Sequence, residues 1–378
     1  MDDSDKLVCM AEKSTSSKPG PNAHYVLVCH GGAGTMSRAG STPEQRAAYQ
    51  TALRTALKAG YKVLSQGGEA MDAVTAAVSS MEDDPLFNSG KGAVFNTAGK
   101  NELEASLMLS KPPASHPQIP PSRRGVGMTL LAHVRNPSAL ARALYLAPDA
   151  LPHTFISGAT AESLAAALGE PLVDEGYFYT RNRWLEHRRG LGLPDGPFPY
   201  PDPDDEKAGL PLLDLQPTGT VGAVALDVRG CIAALTSTGG RTNKLVGRVG
   251  DTPHMGSGFW AEEWPAAAGW VQKTWSKIWG LPATHALGVS GTGDGDYFIR
   301  CATGVTIAHR VKFLGESLQK ATEYAVEELR QNGGIGGVIA LDSAGNVAMS
   351  LNCPGMYRGS IREDGVPLTA IFDDDVLA

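Results

Sequence analysis

The segment from Gly219 to Asp251 constrains the fold of this 378-residue chain more than any other part of it. Two apolar runs, Val221–Val228 and Cys231–Thr236, flank a turn that contains glycine. Apolar, β-branched runs on either side of such a turn are typical of a β-hairpin. We therefore predict two antiparallel strands here, with hydroxyl side chains beside them.

Hydroxyl and charged residues surround this hairpin. Thr220 stands between two glycines, which let the backbone bend sharply and let a reagent approach closely. Thr238 closes the run T-S-T after the second strand, and Arg248 and Asp251 stand three residues apart in a Gly-rich loop. A hydroxyl nucleophile with a cation and an anion is what hydrolysis of a small amino-acid amide requires. Taken singly, these residues also fit an ordinary strand threonine and a solvated ion pair.

The motifs T-V-G, S-T-G-G and G-R-V-G-D, in this order, resemble the plant-type L-asparaginases (isoaspartyl peptidases) of the N-terminal-nucleophile hydrolases. Three other segments fit the same family: H-G-G-A-G at 30–34, P-L-F-N-S-G-K-G-A-V at 85–94 and S-G-T-G-D-G-D-Y-F-I-R at 290–300. The resemblance implies an α+β fold, the four-layer αββα sandwich of the N-terminal-nucleophile hydrolases. It covers residues 23–378 as one domain.

The resemblance also implies an enzyme that cuts itself. Cleavage between Gly219 and Thr220 would give chains 1–219 and 220–378, with Thr220 as the N-terminal nucleophile. Matched by position, the other site residues are Thr238 and Asn88 beside the nucleophile, Thr292 and Gly293 as the oxyanion hole, and Arg248, Asp251 and Gly295 for the substrate. Because Gly219 brings no carboxylate to the scissile bond, we expect slow or partial self-cleavage. The expected substrates are L-asparagine and β-aspartyl dipeptides.

A structural Na⁺, held by backbone carbonyls, is a further implication of the resemblance. Matched by position, the carbonyls belong to Met81, Glu82, Asp84, Phe87, Ser89 and Lys91. Oxygen ligands of this kind suit a hard cation. No cofactor is expected for catalysis, and the resemblance implies a homodimer of cleaved αβ units.

Composition excludes several other classes of protein. The net charge of −7 and the absence of a Lys/Arg-rich run argue against a nucleic-acid surface. No apolar segment long enough for a signal peptide or a membrane span is visible, so we expect a cytoplasmic protein. The five cysteines are scattered without C-x-x-C spacing, which favours reduced thiols.

Several segments carry structural predictions of their own. Residues 1–22 are polar and are predicted to be a disordered tail, and residues 190–219 a flexible linker rich in Pro, Gly and Asp. The Pro-rich insertion 111–124 is predicted to be a surface excursion. The insertion 263–287 carries four tryptophans and predicts an amphipathic helix. Helices are also expected from Thr42, over 70–81, and over 305–313 and 318–330.

Other functions remain open at this stage. Glycosylasparaginases share T-x-G and G-R-V-G-D but lack the H-G-G-A-G segment, and Asp296 stands where the isoaspartyl branch has Glu. The threonine-aspartase branch lacks the residue that matches Asp251. A non-catalytic scaffold that keeps the fold and binds through the tryptophan insertion is the alternative from a different class.

Overall fold

A computed structural model describes residues 24–201, 219–266 and 284–378. The predicted tail, most of the linker and the centre of the tryptophan insertion lie outside the described residues. The strands are β1 Val26–Gly34, β2 Leu103–Leu109, β3 Gly125–Leu131, β4 Phe155–Ser157, β5 Val221–Leu226, β6 Ile232–Thr238, β7 Phe259–Pro265, β8 Thr284–Gly293, β9 Gly336–Asp342, β10 Val347–Leu351, β11 Gly355–Ile361 and β12 Leu368–Phe372. The helices are α1 Pro43–Leu64, α2 Ala70–Glu82, α3 Pro137–Leu146, α4 Gly158–Ala167, α5 Arg181–Gly190, α6 Gly295–Cys301, α7 Thr303–Leu314 and α8 Leu318–Gln331.

The start of α1 follows directly from its sequence. The Thr42 hydroxyl accepts the N–H of Gln45 at 3.2 Å, and the Gln45 side chain accepts the N–H of Thr42 at 2.9 Å. This reciprocal pair is a capping box, and Pro43 follows it at the first helical position, where a missing N–H costs nothing. The helix start predicted at Thr42 is confirmed.

The strands form two sheets. The larger has eight strands in the order β12-β11-β1-β5-β6-β2-β3-β4, and the smaller has four in the order β10-β9-β8-β7. Neighbouring strands pair antiparallel, except that β3 and β4 are parallel. The predicted hairpin is β5–β6, in which Val221 lies opposite Ser237.

Three apolar layers hold the two sheets and their helices together. The first lies between the larger sheet and α1–α4 and includes Leu53, Val74 and Leu107. The second lies between the two sheets. The third lies between the smaller sheet and α7–α8 and includes Leu287 and Leu329. This arrangement is an αββα sandwich, and the predicted fold class is confirmed.

The alternation of side chains along β5 decides which residues face the gap between the sheets. Val221 and Ala223 belong to the helix-side core, whereas Val224 belongs to the core between the sheets. Thr220 and Gly222 therefore point the same way as Val224, towards the smaller sheet. The predicted nucleophile Thr220 therefore faces the gap between the sheets.

The H-G-G-A-G segment is part of a strand, because β1 runs through it to Gly34 with a bulge between His30 and Gly32. The two ends of the tryptophan insertion are strands and not helix, because Glu263 pairs with Ala286 and Trp264 with His285 in the β7–β8 ladder. The other three tryptophans, Trp270, Trp275 and Trp279, lie outside the described residues.

The Pro-rich insertion agrees with expectation. Residues 111–124 form neither helix nor strand and lie mostly at the surface, as predicted. The four cysteines of the described residues are free, and burial raises the pKa of Cys29 to about 12, which keeps that thiol protonated. Of the helices that the structure describes, none combines the length and the apolar character needed to cross a membrane.

Candidate active site

Thr220 lies at the start of β5 and is only 5% exposed. In the uncut chain its backbone N–H donates to the Thr292 hydroxyl at 3.0 Å. The N–H of Ala33 donates to the same hydroxyl at 3.2 Å. Thr292 is therefore held against the predicted scissile bond by two strands of the larger sheet, and it lies one residue before Gly293, which ends β8.

The pairing of β5 with β6 brings Thr238 beside Thr220, and Asn88 contacts the residues that follow Thr238. Val221 is opposite Ser237, so Thr238 stands next to Thr220 at the end of the ladder. The Asn88 side chain donates to the carbonyl of Gly240 at 2.7 Å, and its backbone carbonyl accepts the N–H of Gly239 at 3.0 Å. The Asn88 side chain also accepts the N–H of Val94 at 3.0 Å, so Asn88 fixes the end of β6.

Gly219 packs face to face against Gly32 of the bulged strand β1. A Cβ atom at Gly219 would lie 2.2 Å from the Cα of Gly32, far inside van der Waals contact. A Cβ at Gly32 would lie 2.7 Å from the Cα of Gly219. Both positions therefore require glycine for the scissile segment to sit where it does.

The close contact between Gly219 and Gly32 predicts what one added methyl group at position 219 would do. Gly219→Ala should slow self-cleavage by about 10-fold or more, because overpacking of this kind costs roughly 1–3 kcal/mol and displaces the scissile carbonyl. Intact mass recorded over days measures the rate. Gly196→Ala is the matched control, since a Cβ there meets nothing within 4 Å. Equal cleavage rates in the two variants would contradict the steric argument.

His30 is a further site residue, which the sequence indicates only as part of the H-G-G-A-G motif. Its side chain is fully buried, with Nδ1 2.9 Å from the Thr220 carbonyl oxygen and Nε2 2.8 Å from the Ser290 hydroxyl. Because a carbonyl only accepts, Nδ1 carries the proton and Nε2 accepts from Ser290. Burial lowers the pKa of His30 to about 3, so the ring is neutral. Ser290 in turn lies 2.8 Å from the Thr236 hydroxyl, and this chain of hydrogen bonds fixes the backbone of Thr220.

Arg248 and Asp251 form the predicted substrate clamp. The loop after β6 carries both residues, and α6 packs against them. Arg248 donates to Asp296 at 2.9 Å. Asp251 lies against Gly295, where a Cβ would come 2.3 Å from Oδ1. Both oxygens of the buried Glu104 accept the N–H of Gly250, at 2.9 and 3.2 Å. Glu104 therefore anchors the loop that carries both members of the clamp.

The carboxylate of Asp251 is buried, and its hydrogen bonding within the described residues is incomplete. The residue is 5% exposed, and its Oδ2 atom is buried without a hydrogen-bond partner in the described part of the chain. Burial raises the pKa of Asp251 to about 7; the nearby Glu104 and Asp296 act in the same direction, and Arg248 opposes them. An orphaned buried carboxylate oxygen is costly, so it points to a cationic or hydrogen-bond-donating ligand.

The loop after α2 brings several carbonyl oxygens together. A Cβ at Gly90 would lie 2.4 Å from the carbonyl oxygen of Glu82, and one at Gly92 would lie 2.5 and 2.7 Å from those of Pro85 and Phe87. The loop is tied to the site because the Ser89 hydroxyl lies 2.7 Å from that of Ser237. Three of the predicted carbonyls, those of Met81, Glu82 and Asp84, also accept backbone N–H groups nearby.

The Glu82 side chain lies beneath this loop. It is fully buried and accepts hydrogen bonds from the Ser138 backbone and hydroxyl and from the Ser237 hydroxyl, at 2.9, 2.6 and 2.6 Å. Burial raises its pKa to about 7. Glu82 thereby links α2, α3 and β6 through the hydroxyl groups of Ser138 and Ser237.

A sequence profile of the asparaginase family matches residues 23–269 and 279–371 of this chain. This chain belongs to the asparaginase family. The isoaspartyl peptidase of Escherichia coli (strain K12) is 37% identical over 352 residues, which are 92% of this chain and 96% of the relative. The isoaspartyl peptidase of Salmonella typhimurium is 37% identical over 348 residues, 92% and 98% of the two chains. The isoaspartyl peptidase/L-asparaginase of Xenopus laevis is 32% identical over 343 residues, 90% and 93%. The family predicted from the motifs is confirmed.

Proposed function

We propose that this member of the asparaginase family hydrolyses L-asparagine and β-aspartyl dipeptides after cutting itself before Thr220. The observation that carries the proposal is the buried Oδ2 of Asp251, which lies near Arg248 and has no hydrogen-bond partner among the described residues. A carboxylate and a guanidinium at one site match the α-ammonium and α-carboxylate of an aspartyl group. The relatives named isoaspartyl peptidase support the same substrate class.

Maturation begins with attack of the Thr220 hydroxyl on the Gly219 carbonyl carbon. The C–N bond breaks, the amine of Thr220 keeps the proton released by the hydroxyl, and an ester joins Gly219 to the Thr220 oxygen. Water hydrolyses the ester and leaves Thr220 as a free N-terminus. Its α-amine, with a pKa near 8, is then a base next to the hydroxyl that it must activate.

Catalysis repeats this chemistry on the substrate. The Thr220 oxygen attacks the side-chain carbonyl carbon while its α-amine takes the hydroxyl proton, and Thr292 with Gly293 stabilises the oxyanion. The amine returns the proton to the leaving nitrogen, which departs as ammonia or as an amino acid. Water then releases aspartate from the acyl-enzyme. Neutral His30 holds the Thr220 backbone in place throughout.

A Na⁺ ion in the loop after α2 is part of the proposal. The crowded carbonyls beside Gly90 and Gly92 fit a hard cation, which would neutralise their dipoles and stiffen the loop that carries Asn88. Catalysis is proposed to need no cofactor. A homodimer of cleaved αβ units is proposed from the family resemblance.

A panel of substrates tests the function. Fully cut protein is incubated with L-asparagine, β-aspartyl-leucine, α-aspartyl-leucine and N-acetylglucosaminyl-asparagine, and ammonia, leucine and aspartate are measured. We expect turnover of the first two and none of the α-aspartyl isomer, whose scissile carbonyl replaces the α-carboxylate that Arg248 binds. Preference for the glycosylated substrate would favour the glycosylasparaginase alternative, and turnover of none would overturn the proposal.

A further inference from the structure

A second arginine lies next to the substrate clamp. Arg241 follows Thr238 by three residues, and its Nη1 is 3.9 Å from an oxygen of Asp294 and 3.9 Å from Oδ2 of Asp296. The other oxygen of Asp296, Oδ1, takes the hydrogen bond from Arg248. One carboxylate therefore separates two guanidinium groups, one predicted to bind substrate and the other without an assigned role.

We propose that Arg241 binds the carboxylate of the leaving amino acid when the substrate is a β-aspartyl dipeptide. This inference rests on the proposed function and names the substrate feature that the same site selects. Arg241 is then a specificity-determining residue for dipeptides and has no such role towards asparagine, whose leaving group is ammonia.

The order of exposure from the clamp outwards supports this assignment. The Asp251 side chain is buried and that of Arg248 is 17% exposed, whereas those of Asp296 and Arg241 are 45% and 48% exposed. The aspartyl group is held at the buried end, so the leaving group must extend towards the exposed end. The carboxylate of a dipeptide is carried on the carbon bonded to the leaving nitrogen, and Arg241 is three residues after Thr238, the neighbour of Thr220 at the end of the β5–β6 ladder.

The hydrogen-bonding state of Arg241 also fits a ligand site. Its ion pairs with Asp294 and Asp296 are too long for hydrogen bonds, which require distances near 2.9 Å. Its planar set of N–H donors is therefore open to a carboxylate, which guanidinium groups bind in a bidentate manner. The backbone next to it is fixed, because the Gly240 carbonyl accepts from Asn88 at 2.7 Å.

Charge explains why a cation is needed at this position. Asp294 and Asp296 would repel an incoming carboxylate if Arg241 were absent. Arg241 both offsets these charges and supplies donors. The effect is that of a partly exposed ion pair, so it should be modest and should weaken as salt is added.

The experiment compares three substrates in the cut wild-type protein and in cut Arg241→Gln. They are L-asparagine, β-aspartyl-leucine and β-aspartyl-leucinamide, in which the leaving group has lost its carboxylate. We expect Arg241→Gln to lower kcat/KM for β-aspartyl-leucine by roughly 3- to 5-fold. Turnover of asparagine and of the leucinamide should change less than 2-fold. Arg330→Gln is the matched control, an exposed arginine on α8 that pairs with Glu327.

The outcomes separate this inference from the proposed function. Equal losses for all three substrates would make Arg241 a part of the general clamp and would overturn the inference while leaving the proposed function intact. No loss for the dipeptide would overturn it as well. A cut wild-type protein that hydrolyses none of the three would overturn both. Loss confined to the free dipeptide, and smaller at high salt, would establish the assignment.

Discussion

Thr220→Ala is expected to leave the protein as one uncut chain without hydrolase activity. The variant lacks the only oxygen placed to attack the Gly219 carbonyl in the proposed mechanism. Removing a nucleophile abolishes the function of the whole catalytic unit, so activity towards asparagine should fall by at least about 10⁴-fold. Intact mass over several days and ammonia release measure the two effects.

The fold should survive this substitution. Thr220 loses one methyl and one hydroxyl group, and its backbone contacts with Thr292 and His30 do not involve its side chain. The cost to unfolding should be about 1–2 kcal/mol. Thermal unfolding and circular dichroism therefore separate a chemical defect from a folding defect.

Two further variants test whether self-cleavage depends on the hydroxyl group of residue 220 in particular. Thr220→Ser keeps a hydroxyl and should still cut, whereas Thr322→Ala removes an equally buried threonine hydroxyl from α8 and should cut at the wild-type rate. Cleavage of Thr220→Ala at the same bond would contradict the proposed nucleophile. A wild-type chain that stays uncut would instead favour the non-catalytic scaffold.

The local sequence was sufficient to predict the parts of the fold that depend on short-range chemistry. The cap at Thr42 and the β5–β6 hairpin depend on residues within a few positions of one another. The strands β11 and β12 were not predicted, although β11 lies between β12 and β1. The partner of β11 in β1 lies more than 300 residues earlier in the chain, and pairing at that separation leaves no local signal. The pairing of β12 with β11 is local by contrast.

The candidate site was predicted as a set of residues but not as a network. The motifs gave Thr220, Arg248 and Asp251, whereas the bonds from His30 to Thr220 and Ser290 join three strands from two sheets. One signal could have found part of it. Val28 and His30 share a face of β1 by the two-residue period, and that face points at the smaller sheet.

Backbone roles could not be read from side chains. The sequence predicts Asn88 beside the nucleophile but does not show that its side chain donates to the carbonyl of Gly240 and accepts from the N–H of Val94. The need for glycine at 219 arises from the approach of Gly32 across the β1–β5 pair, which a sequence reveals only as two separate glycines. Its missing carboxylate was the feature noticed, whereas its missing Cβ is the feature that the contact requires.

Asp251→Asn is expected to lower kcat/KM for asparagine by about 30- to 1000-fold. The substitution keeps the shape of the side chain and removes the charge that would bind the substrate α-ammonium. Truncating one partner of a buried charge pair costs about 2–4 kcal/mol, which is the source of this range. Asp149→Asn, at an exposed position, is the control for loss of one negative charge.

The pH dependence tests the same carboxyl group independently. With the pKa of Asp251 raised to about 7, the free enzyme carries the required charge only above that pH. The wild-type kcat/KM should therefore rise about 10-fold per pH unit below pH 7 on account of this group. In Asp251→Asn the part of this pH dependence that is due to Asp251 should disappear, whereas the part that is due to the Thr220 α-amine should remain. A variant profile identical in shape to the wild type would contradict the assignment.

The stability of the free enzyme should change in the opposite direction to its activity. The pKa of Asp251 is raised on folding, so the folded state binds the proton between about pH 4 and pH 7 where the unfolded chain has lost it. Wild-type stability is therefore highest below pH 4 with respect to this group and declines as pH rises to 7. Asp251→Asn has no such loss. Its free energy of unfolding relative to wild type should increase by about 1–3 kcal/mol from pH 5 to pH 8, measured without substrate. The buried charge of Asp251 therefore destabilises the free enzyme at neutral pH until the substrate ammonium binds. If the difference in unfolding free energy between Asp251→Asn and wild type did not change with pH, the raised pKa of Asp251 would be contradicted.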